Sequence, residues 1–353
     1  MVVFGIRRVA RDAHRLSVDR EVARQIIGNC CQYRLSDKFD ELDLTEENIA
    51  FNVRLNDDDT EWIERKGLLI RRPHAQAVVL ICHGFMCNKD DARFLRGALF
   101  PRYSSLIFDF RAHGECTGGQ FCTFGMLEKE DVRGAVEFIR NDPELADKPL
   151  IVYGFSMGAV ASLLAQSEYG DLFDAAVWDC PFDSTDKVFE RLLSELTISI
   201  GGYELGFPGR SLLHKYAYNP YVQDFIKKAL KTIANLDSSV VNTMIMPVNT
   251  VEAARKITIP SFFIVCKKDA KAPVSAVYDV YKNVQGARQL WVTNGRYHFD
   301  SFFYNPERYI HSVNHFIEDF LSGKFEDENI DKIVVDEPSD AALNKLLKGN
   351  NEQ

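Results

Sequence analysis

The segment Gly154-Phe155-Ser156-Met157-Gly158 carries the strongest chemical signal in the sequence. It follows the apolar run 150–153 and precedes a helical run at 159–166, so it predicts a sharp turn between a strand and a helix. At such a turn a serine hydroxyl projects above the sheet edge, and Gly154 and Gly158 avoid the clash that a Cβ would make. The helix N-terminus also places positive partial charge beside the reacting oxygen. We therefore predict that Ser156 is a nucleophile; the alternative is an ordinary glycine-rich turn.

A second turn, Cys82-His83-Gly84-Phe85, follows an earlier apolar strand. A His-Gly turn at this place can offer a backbone N–H to the negatively charged oxygen that forms during the reaction. We expect the N–H groups of Phe85 and Met157 to form this oxyanion hole, with Gly84 in the supporting turn. His83 is either a structural member of that turn or a base, and its position favours the structural role.

A serine nucleophile needs two partners, which follow it in the order acid, then histidine. Asp269 comes after the apolar strand 262–266, and His298 lies in a loop just after the strand 290–293. Both positions are at the C-terminal ends of strands, where open α/β sheets assemble their sites. The predicted triad is Ser156, His298 and Asp269, in which the acid orients the base.

Four other residues compete for these two roles. Asp179 and Asp183 flank the end of the strand before Asp269 and are alternatives for the acid. His311 and His315 lie on the last predicted helix and are alternatives for the base. We favour His298 because the base has to come from a loop that reaches the serine.

The cysteines point away from metal chemistry. There are eight of them, with no repeating spacing and no Cys-x-x-Cys pair. This pattern argues against a zinc site and against a disulfide framework, so we expect free thiols in a reducing compartment. The N-terminus is charged every few residues and lacks the apolar stretch of a secretory signal, which favours a cytoplasmic protein. We expect no metal and no organic cofactor.

The composition limits the classes of partner. Of 353 residues, 46% are hydrophobic, which is enough to bury a large core. The net charge of −9 is spread along the chain without a basic stripe, which argues against nucleic acid as a partner. No window approaches the roughly 18 apolar residues of a membrane helix. The expected partner is a small-molecule or acyl-chain substrate.

Strands and helices alternate from about residue 49 onward, and this pattern predicts a mostly parallel sheet covered by helices on both faces. Several strands are continuous apolar runs, such as 78–81 and 262–265, as expected for strands buried on both faces. The predicted strands are Ile49–Leu55, Gly67–Arg71, Ala77–Cys82, Ser104–Phe110, Pro149–Phe155, Asp174–Cys180, Ile259–Lys267 and Arg288–Thr293. The fold class is α/β.

Three segments stand apart from the predicted core at 49–182 and 258–323. Residues 1–48 form an N-terminal extension with an amphipathic helix. This helix either docks on the domain or lies on a membrane surface, and the acidic residues that dilute its basic face favour docking. Residues 183–257 interrupt the strand–helix rhythm and predict a helical lid. Residues 324–353 are polar and acidic, and predict a loosely ordered tail.

Four blocks of the sequence resemble the α/β-hydrolase superfamily, within it the lipase, feruloyl-esterase and serine-aminopeptidase-like branch. The resemblance covers about residues 45–322 and rests on the His83 turn with 88–90, the segment 109–116, the serine turn, and Asp269-x-x-x-Pro273 followed by His298. It implies the α/β-hydrolase fold, with a mostly parallel central sheet flanked by helices and a helical lid insertion. Ala112 and Cys116 replace a glycine and a serine of the family pattern, and the histidine loop lacks its second glycine.

The resemblance implies that Asp109 and Arg111 brace the loop beside the site. It also implies cleavage of an ester, thioester or amide through an acyl-enzyme, and the aromatic and aliphatic lid favours an apolar acyl group. A peptidase or amidase of the same fold is an alternative, in which Glu190, Glu195 or Glu204 would hold a free amine. A binding protein that kept the fold is a third hypothesis.

Overall fold

The computed structural model describes residues 46–55, 61–72, 74–99, 102–194, 197–200, 203–206, 215–216, 218–219, 221–223, 241–327 and 330–336. The predicted N-terminal helix and much of the predicted lid lie outside these residues. None of the helices in the described part of the chain is long and apolar enough to cross a membrane.

Nine strands form one sheet in the order β1-β2-β4-β3-β5-β6-β9-β10-β11, and β7 and β8 form a separate hairpin. The outer pairs β1–β2 and β2–β4 are antiparallel, and every pairing from β4 to β11 is parallel. The strands are β1 Glu46–Arg54, β2 Trp62–Ile70, β3 Val78–Cys82, β4 Ser104–Phe108, β5 Leu150–Phe155, β6 Ala175–Asp179, β7 Thr197–Ile200, β8 Tyr203–Gly206, β9 Ser261–Cys266, β10 Arg288–Thr293 and β11 Asp331–Val335.

Helices connect the strands and cover both faces of the sheet. They are α1 Lys89–Ala92, α2 Phe94–Leu99, α3 Glu128–Arg140, α4 Met157–Tyr169, α5 Thr185–Ser194, α6 Thr250–Ala254, α7 Val274–Tyr281, α8 Ser301–Tyr304, α9 Pro306–Leu321 and α10 Lys324–Asp327. Helices α3, α4, α6 and α7 pack into one hydrophobic core, and α1, α2, α8 and α9 pack into the other.

The alternation of side chains along each strand explains these two cores. In β3, Val78, Leu80 and Cys82 enter the first core, whereas Val79 and Ile81 enter the second. All five residues of β3 are fully buried, so the strand is apolar throughout. The predicted mostly parallel sheet with helices on both faces is therefore confirmed.

The structure differs from the sequence-based prediction at both ends of the sheet. The strand β1 begins at Glu46, inside the segment assigned to the N-terminal extension, and β2 begins at Trp62 rather than at Gly67. Residues 324–327 form α10 and Asp331–Val335 form β11, where a loosely ordered tail was predicted. Strand β11 pairs in parallel with β10. Its apolar run, residues 333–335, has acidic neighbours and is too short to predict a strand from the sequence.

The predicted lid region contains more than helices. Helix α5 and the β7–β8 hairpin lie in it, and so does α6, which packs against α4 and α7 of the core. Phe189 of α5 is buried against Val222 and Ile245, in a small cluster apart from the two cores.

Candidate active site

The turn between β5 and α4 is held by close backbone approaches. Ser156 has φ 53° and ψ −120°, a strained conformation for a residue with a side chain. A Cβ on Gly154 would lie 2.8 Å from the backbone of Ala159, and one on Gly158 would lie 2.1 Å from the carbonyl oxygen of Cys82. Both glycines are therefore required by space. The N–H of Ser156 donates to the carbonyl oxygen of Asp179, which fixes the turn to β6.

The structure brings the three predicted triad residues into one hydrogen-bonded chain. Ser156 Oγ lies 2.7 Å from His298 Nε2, and His298 Nδ1 lies 2.7 Å from Asp269 Oδ2. For the serine hydroxyl to donate to Nε2, the proton of the neutral imidazole has to be on Nδ1. The Nδ1–H group then donates a hydrogen bond to Asp269. The Asp269 side chain is fully buried, and its Oδ1 accepts from the N–H groups of Lys271 and Ala272. The acid is thus fixed in place on both of its oxygens.

The predicted oxyanion donors border the serine. A Cβ on Gly84 would lie 3.4 Å from Ser156 Cβ and 2.9 Å from the Phe155 ring, so the turn that carries Phe85 lies directly against Ser156. Met157 is the first residue of α4, where backbone N–H groups have no partner within the helix. Within the described residues, neither the Phe85 N–H nor the Met157 N–H donates to another group.

The sequence of this chain is similar to those of known proteins. Residues 73–299 match the family described as serine aminopeptidase, S33, which is more than half of the chain. The chain belongs to this family of α/β-hydrolases. It is also 28% identical over 256 residues to the uncharacterized protein YqkD of Bacillus subtilis, spanning 72% of this chain and 75% of that protein.

Two solved structures show the same fold. The Pyrococcus furiosus esterase Pf2001 has a TM-score of 0.57 and 22% identity, with 79% of this chain and 92% of that chain covered. The Pyrococcus horikoshii acylaminoacyl peptidase has a TM-score of 0.53 and 17% identity, with 89% of this chain and 46% of that chain covered. The α/β-hydrolase fold predicted from the sequence is confirmed.

In this S33 family member, the His83 side chain connects the loop after β3 to the loop after β4 through hydrogen bonds. Its Nε2 accepts from the N–H of Phe110 at 3.1 Å, so Nδ1 carries the proton and donates to the carbonyl oxygen of Gly84 at 2.8 Å. Burial lowers the pKa of His83 to about 3, and the imidazole is neutral at pH 7. Both ring nitrogens are used in these contacts, which leaves none to act as a base.

Asp109 organises the loop after β4. Its carboxylate accepts from the N–H of Lys89 at 2.7 Å, from Lys89 Nζ at 3.0 Å and from the N–H of Glu115 at 3.0 Å. Gly114 has φ 53°, and a Cβ there would lie 2.3 Å from the Asp109 carboxylate. The side chain therefore fixes Lys89 at the start of α1 and the turn at Glu115.

Arg111 forms a buried ion pair with Asp131 of α3. Its guanidinium donates to Asp131 Oδ1 at 2.8 Å and to the carbonyl oxygen of Leu55 at 2.9 Å. Burial alone would raise the pKa of Asp131, but the charges of Arg111 and Arg65 outweigh it and leave that pKa below its ordinary value. This pair fixes the loop to both α3 and the end of β1.

The alternative acids lie near the triad but have other partners. Asp183 pairs with Arg191 at 2.8 Å and with Lys187 at 3.5 Å. Asp179 is fully buried, and its Oδ2 accepts from the Tyr309 hydroxyl at 2.6 Å. Burial raises the pKa of Asp179 to about 7. Neither carboxylate takes the place that Asp269 has beside His298.

The alternative bases lie on α9, away from the serine. The rings of His311 and His315 stack on each other with centroids 5.9 Å apart, and the His315 side chain is 60% exposed beside Asp319. The nitrogens of His298 contact Ser156 and Asp269 instead.

Sequence reasoning missed a thiol beside the triad. Cys180 Sγ lies 3.9 Å from His298 Nε2, and Cys180 has φ 45°. Cys180, Asp269 and His298 each present a ligand-type atom within 4.8 Å of the others, the geometry of a metal-binding group. Both nitrogens of His298 already have hydrogen-bond partners, so the arrangement matches the predicted triad with a neighbouring thiol. No spacing in the sequence connects Cys180 to His298, since they are 118 residues apart.

Proposed function

We propose that this hydrolase is a serine hydrolase that cleaves a carboxyl ester or thioester through an acyl-enzyme, with Ser156 as nucleophile, His298 as base and Asp269 as acid. The observation that carries the proposal is the pair of 2.7 Å contacts that join Ser156 Oγ to Asp269 through the two nitrogens of His298. A serine hydroxyl bonded in this way to an oriented imidazole can lose its proton as it attacks a carbonyl carbon.

Acylation proceeds in two proton transfers. His298 Nε2 accepts the hydroxyl proton while Ser156 Oγ forms a bond to the carbonyl carbon, and Asp269 stabilises the imidazolium that results. The N–H groups of Phe85 and Met157 donate to the oxyanion. His298 then gives its proton to the leaving oxygen or sulfur as the bond from that atom to the carbonyl carbon breaks.

Deacylation repeats the sequence with water. His298 accepts a proton from water, whose oxygen bonds to the acyl carbon, and the Ser156 Oγ–carbon bond breaks as the serine regains its proton. The products are a carboxylic acid and the free enzyme.

The charges around the triad support an ester or thioester over a substrate with a free amine. A free amine needs an exposed, unpaired carboxylate, but Asp269 and Asp183 are bonded to His298 and Arg191, and Asp179 is fully buried with Tyr309 bonded to its Oδ2. Glu190 is exposed on α5, while Glu195 and the side chain of Glu204 lie outside the described residues. The described site therefore offers an apolar substrate better recognition than a cationic one.

A peptidase or amidase is the second candidate, and the family description supports it. The family is described as serine aminopeptidase, and one structure with the same fold is an acylaminoacyl peptidase. The same triad can break an amide when His298 protonates the leaving amine.

A substrate panel separates these candidates. The wild type and Ser156→Ala are tested with p-nitrophenyl esters, acyl-CoA thioesters and aminoacyl anilides. Hydrolysis of the esters or thioesters, absent in Ser156→Ala, supports the proposal, whereas faster hydrolysis of the anilides supports the peptidase. Cleavage of none of these substrates by the wild type would contradict the proposal and favour a binding protein that kept the fold.

A further inference from the structure

The loop 121–126, between β4 and α3, crosses the first turns of α4. Cys122 Sγ lies 3.4 Å from the sulfur of Met157, the residue directly after the nucleophile. Gly125 packs so closely on α4 that a Cβ there would lie 2.8 Å from Val160 Cγ1. Because Met157 is also a proposed oxyanion donor, the loop lies at the edge of the reacting centre.

Glu128, the first residue of α3, fixes this loop through hydrogen bonds. Its carboxylate is fully buried and accepts three hydrogen bonds, each 2.7 Å long: from the Thr123 N–H, the Thr123 hydroxyl and the Gly125 N–H. The residues on both sides of Phe124 are thus fixed by one side chain. Phe124 itself has φ 57°, a conformation that a bulky residue adopts only when its surroundings impose it.

The ring of Phe124 packs on the oxyanion loop. Its centroid lies 4.8 Å from that of Phe85, whose other neighbour is the His113 ring at 5.7 Å. Phe85 and Phe124 are both partly exposed, so the pair presents an apolar surface next to the proposed oxyanion donors. A surface of this kind suits a hydrocarbon group and offers no hydrogen-bond partner to a polar one.

The order of the strands decides which part of the substrate meets this surface. In the sheet, β3 and β4 lie on one side of β5, and β6, β9 and β10 lie on the other. His298 follows β10 and has to protonate the leaving atom, so the leaving group faces the β9–β10 side. The acyl group then occupies the opposite side, where the loops after β3 and β4 carry Phe85 and Phe124.

We propose that Phe124 determines acyl-chain specificity, and that its ring, held by Glu128 against Phe85, closes an apolar acyl subsite. This inference rests on the proposed function and deepens it. The ligand class is an apolar acyl group of limited length, and the ring of Phe124 sets the limit. The nature of the leaving alcohol or thiol is not read by this residue.

Two substrate series test the inference. The first keeps the p-nitrophenol leaving group and lengthens the acyl chain from acetyl to dodecanoyl; the second keeps the acetyl group and enlarges the leaving alcohol. In Phe124→Ala the preferred acyl chain should lengthen, with kcat/KM rising by about fourfold for each methylene newly accommodated. Phe124→Trp should shorten the preferred chain, and Phe124→Leu should fall between wild type and Phe124→Ala.

The control is Phe121→Ala. Phe121 lies in the same loop, is 42% exposed and makes no ring contact in the described part of the chain, so its removal should leave the preferred acyl length as in wild type. Glu128→Gln should broaden the chain-length profile, since an amide cannot accept all three hydrogen bonds. Thermal unfolding checks that each variant is folded.

The outcomes distinguish this inference from the proposed function. If Phe124→Ala and Phe124→Trp change the ranking of alcohols but not of acyl chains, Phe124 lies on the leaving-group side and the inference is wrong. If neither series changes, Phe124 does not contact substrate, and the inference is again wrong. If the wild type cleaves no ester in either series and no acyl-CoA thioester, the proposed function itself fails.

Discussion

Gly158 of the first turn of α4 lies against the carbonyl oxygen of Cys82, the last residue of β3, at a distance that leaves no room for a methyl group. This approach joins the strand that leads to the Phe85 turn with the helix that begins directly after Ser156. The relative position of Phe85 and Ser156 therefore depends on a glycine that takes no part in the chemistry.

Substitution of this glycine tests the contact. The Cβ in Gly158→Ala would lie 2.1 Å from a backbone oxygen. Because the contact is with backbone, no side-chain movement can relieve it. We expect a loss of roughly 1–3 kcal/mol in the free energy of unfolding, together with reduced hydrolysis. The measurement is urea unfolding beside Gly118→Ala, a matched control whose new methyl group would meet nothing within 4 Å. Equal stability of the two variants would contradict the prediction.

Removal of the nucleophile tests the proposed function directly. Ser156→Ala should no longer be labelled by a fluorophosphonate and should lose several orders of magnitude in kcat, as triad removal does in other serine enzymes. Intact-mass spectrometry measures the labelling. Undiminished labelling of Ser156→Ala would show that another residue is the nucleophile.

The base and the acid are tested by comparison of four variants. His298→Ala should be about as inactive as Ser156→Ala, because members of a triad act as a unit. Asp269→Asn should lower kcat on the order of 10⁴-fold, since the amide favours the wrong imidazole tautomer. Steady-state kinetics with a p-nitrophenyl ester measures both. Asp179→Asn and Asp183→Asn serve as comparisons, and greater loss in either than in Asp269→Asn would mean that the acid is wrongly assigned.

Asp179 gives a prediction about stability and pH. Burial raises its pKa in the folded protein from 3.8 to about 7, so between these values the folded state holds a proton that the unfolded state releases. The contribution of Asp179 to the free energy of unfolding is thus fully present below pH 4 and is lost as the pH rises to about 7. The corresponding free energy is on the order of 4 kcal/mol.

Asp179→Asn removes this titration and keeps an oxygen for Tyr309 to donate to. Unfolding by urea at several pH values should show the variant gaining on wild type as the pH rises from 4 to 7, with a constant difference above pH 8. Asp183→Asn is the control, because the pKa of Asp183 is lowered and its contribution to stability changes only below about pH 4, so its difference from wild type should stay constant as the pH rises from 4 to 7. A difference between Asp179→Asn and wild type that does not vary with pH would contradict the assignment.

The buried strands and the nucleophile turn could be predicted from the sequence because each is encoded locally. Strand β3 is apolar throughout and β9 is apolar from Phe262 to Cys266, and the two glycines around Ser156 mark a backbone that passes through crowded space. Asp269 and His298 were found by their positions after strands, since parallel strands bring their C-terminal ends to one edge. The roles assigned to them remain predictions until the variants are measured.

Features that depend on tertiary contacts could not be predicted. Glu128 has the appearance of an ordinary acidic residue in the first turn of a helix, and only the folded chain shows that its carboxylate holds the loop around Phe124. Strand β11 depends on β10 for its pairing and has too short an apolar run to stand out by itself. Cys180 reaches His298 only because β6 and β10 are both neighbours of β9 in the sheet.

The strand order also has a consequence for how this protein acquires activity during synthesis and refolding. Ser156 and His298 are 142 residues apart, and the sheet that joins them is completed by β9 and β10, which the ribosome makes long after the nucleophile turn. Contacts so distant in sequence form late, because loop closure costs entropy before the contact can stabilise the chain. Hydrolysis should therefore be among the last native properties to appear on refolding, after secondary structure and after burial of the β3–β5 core.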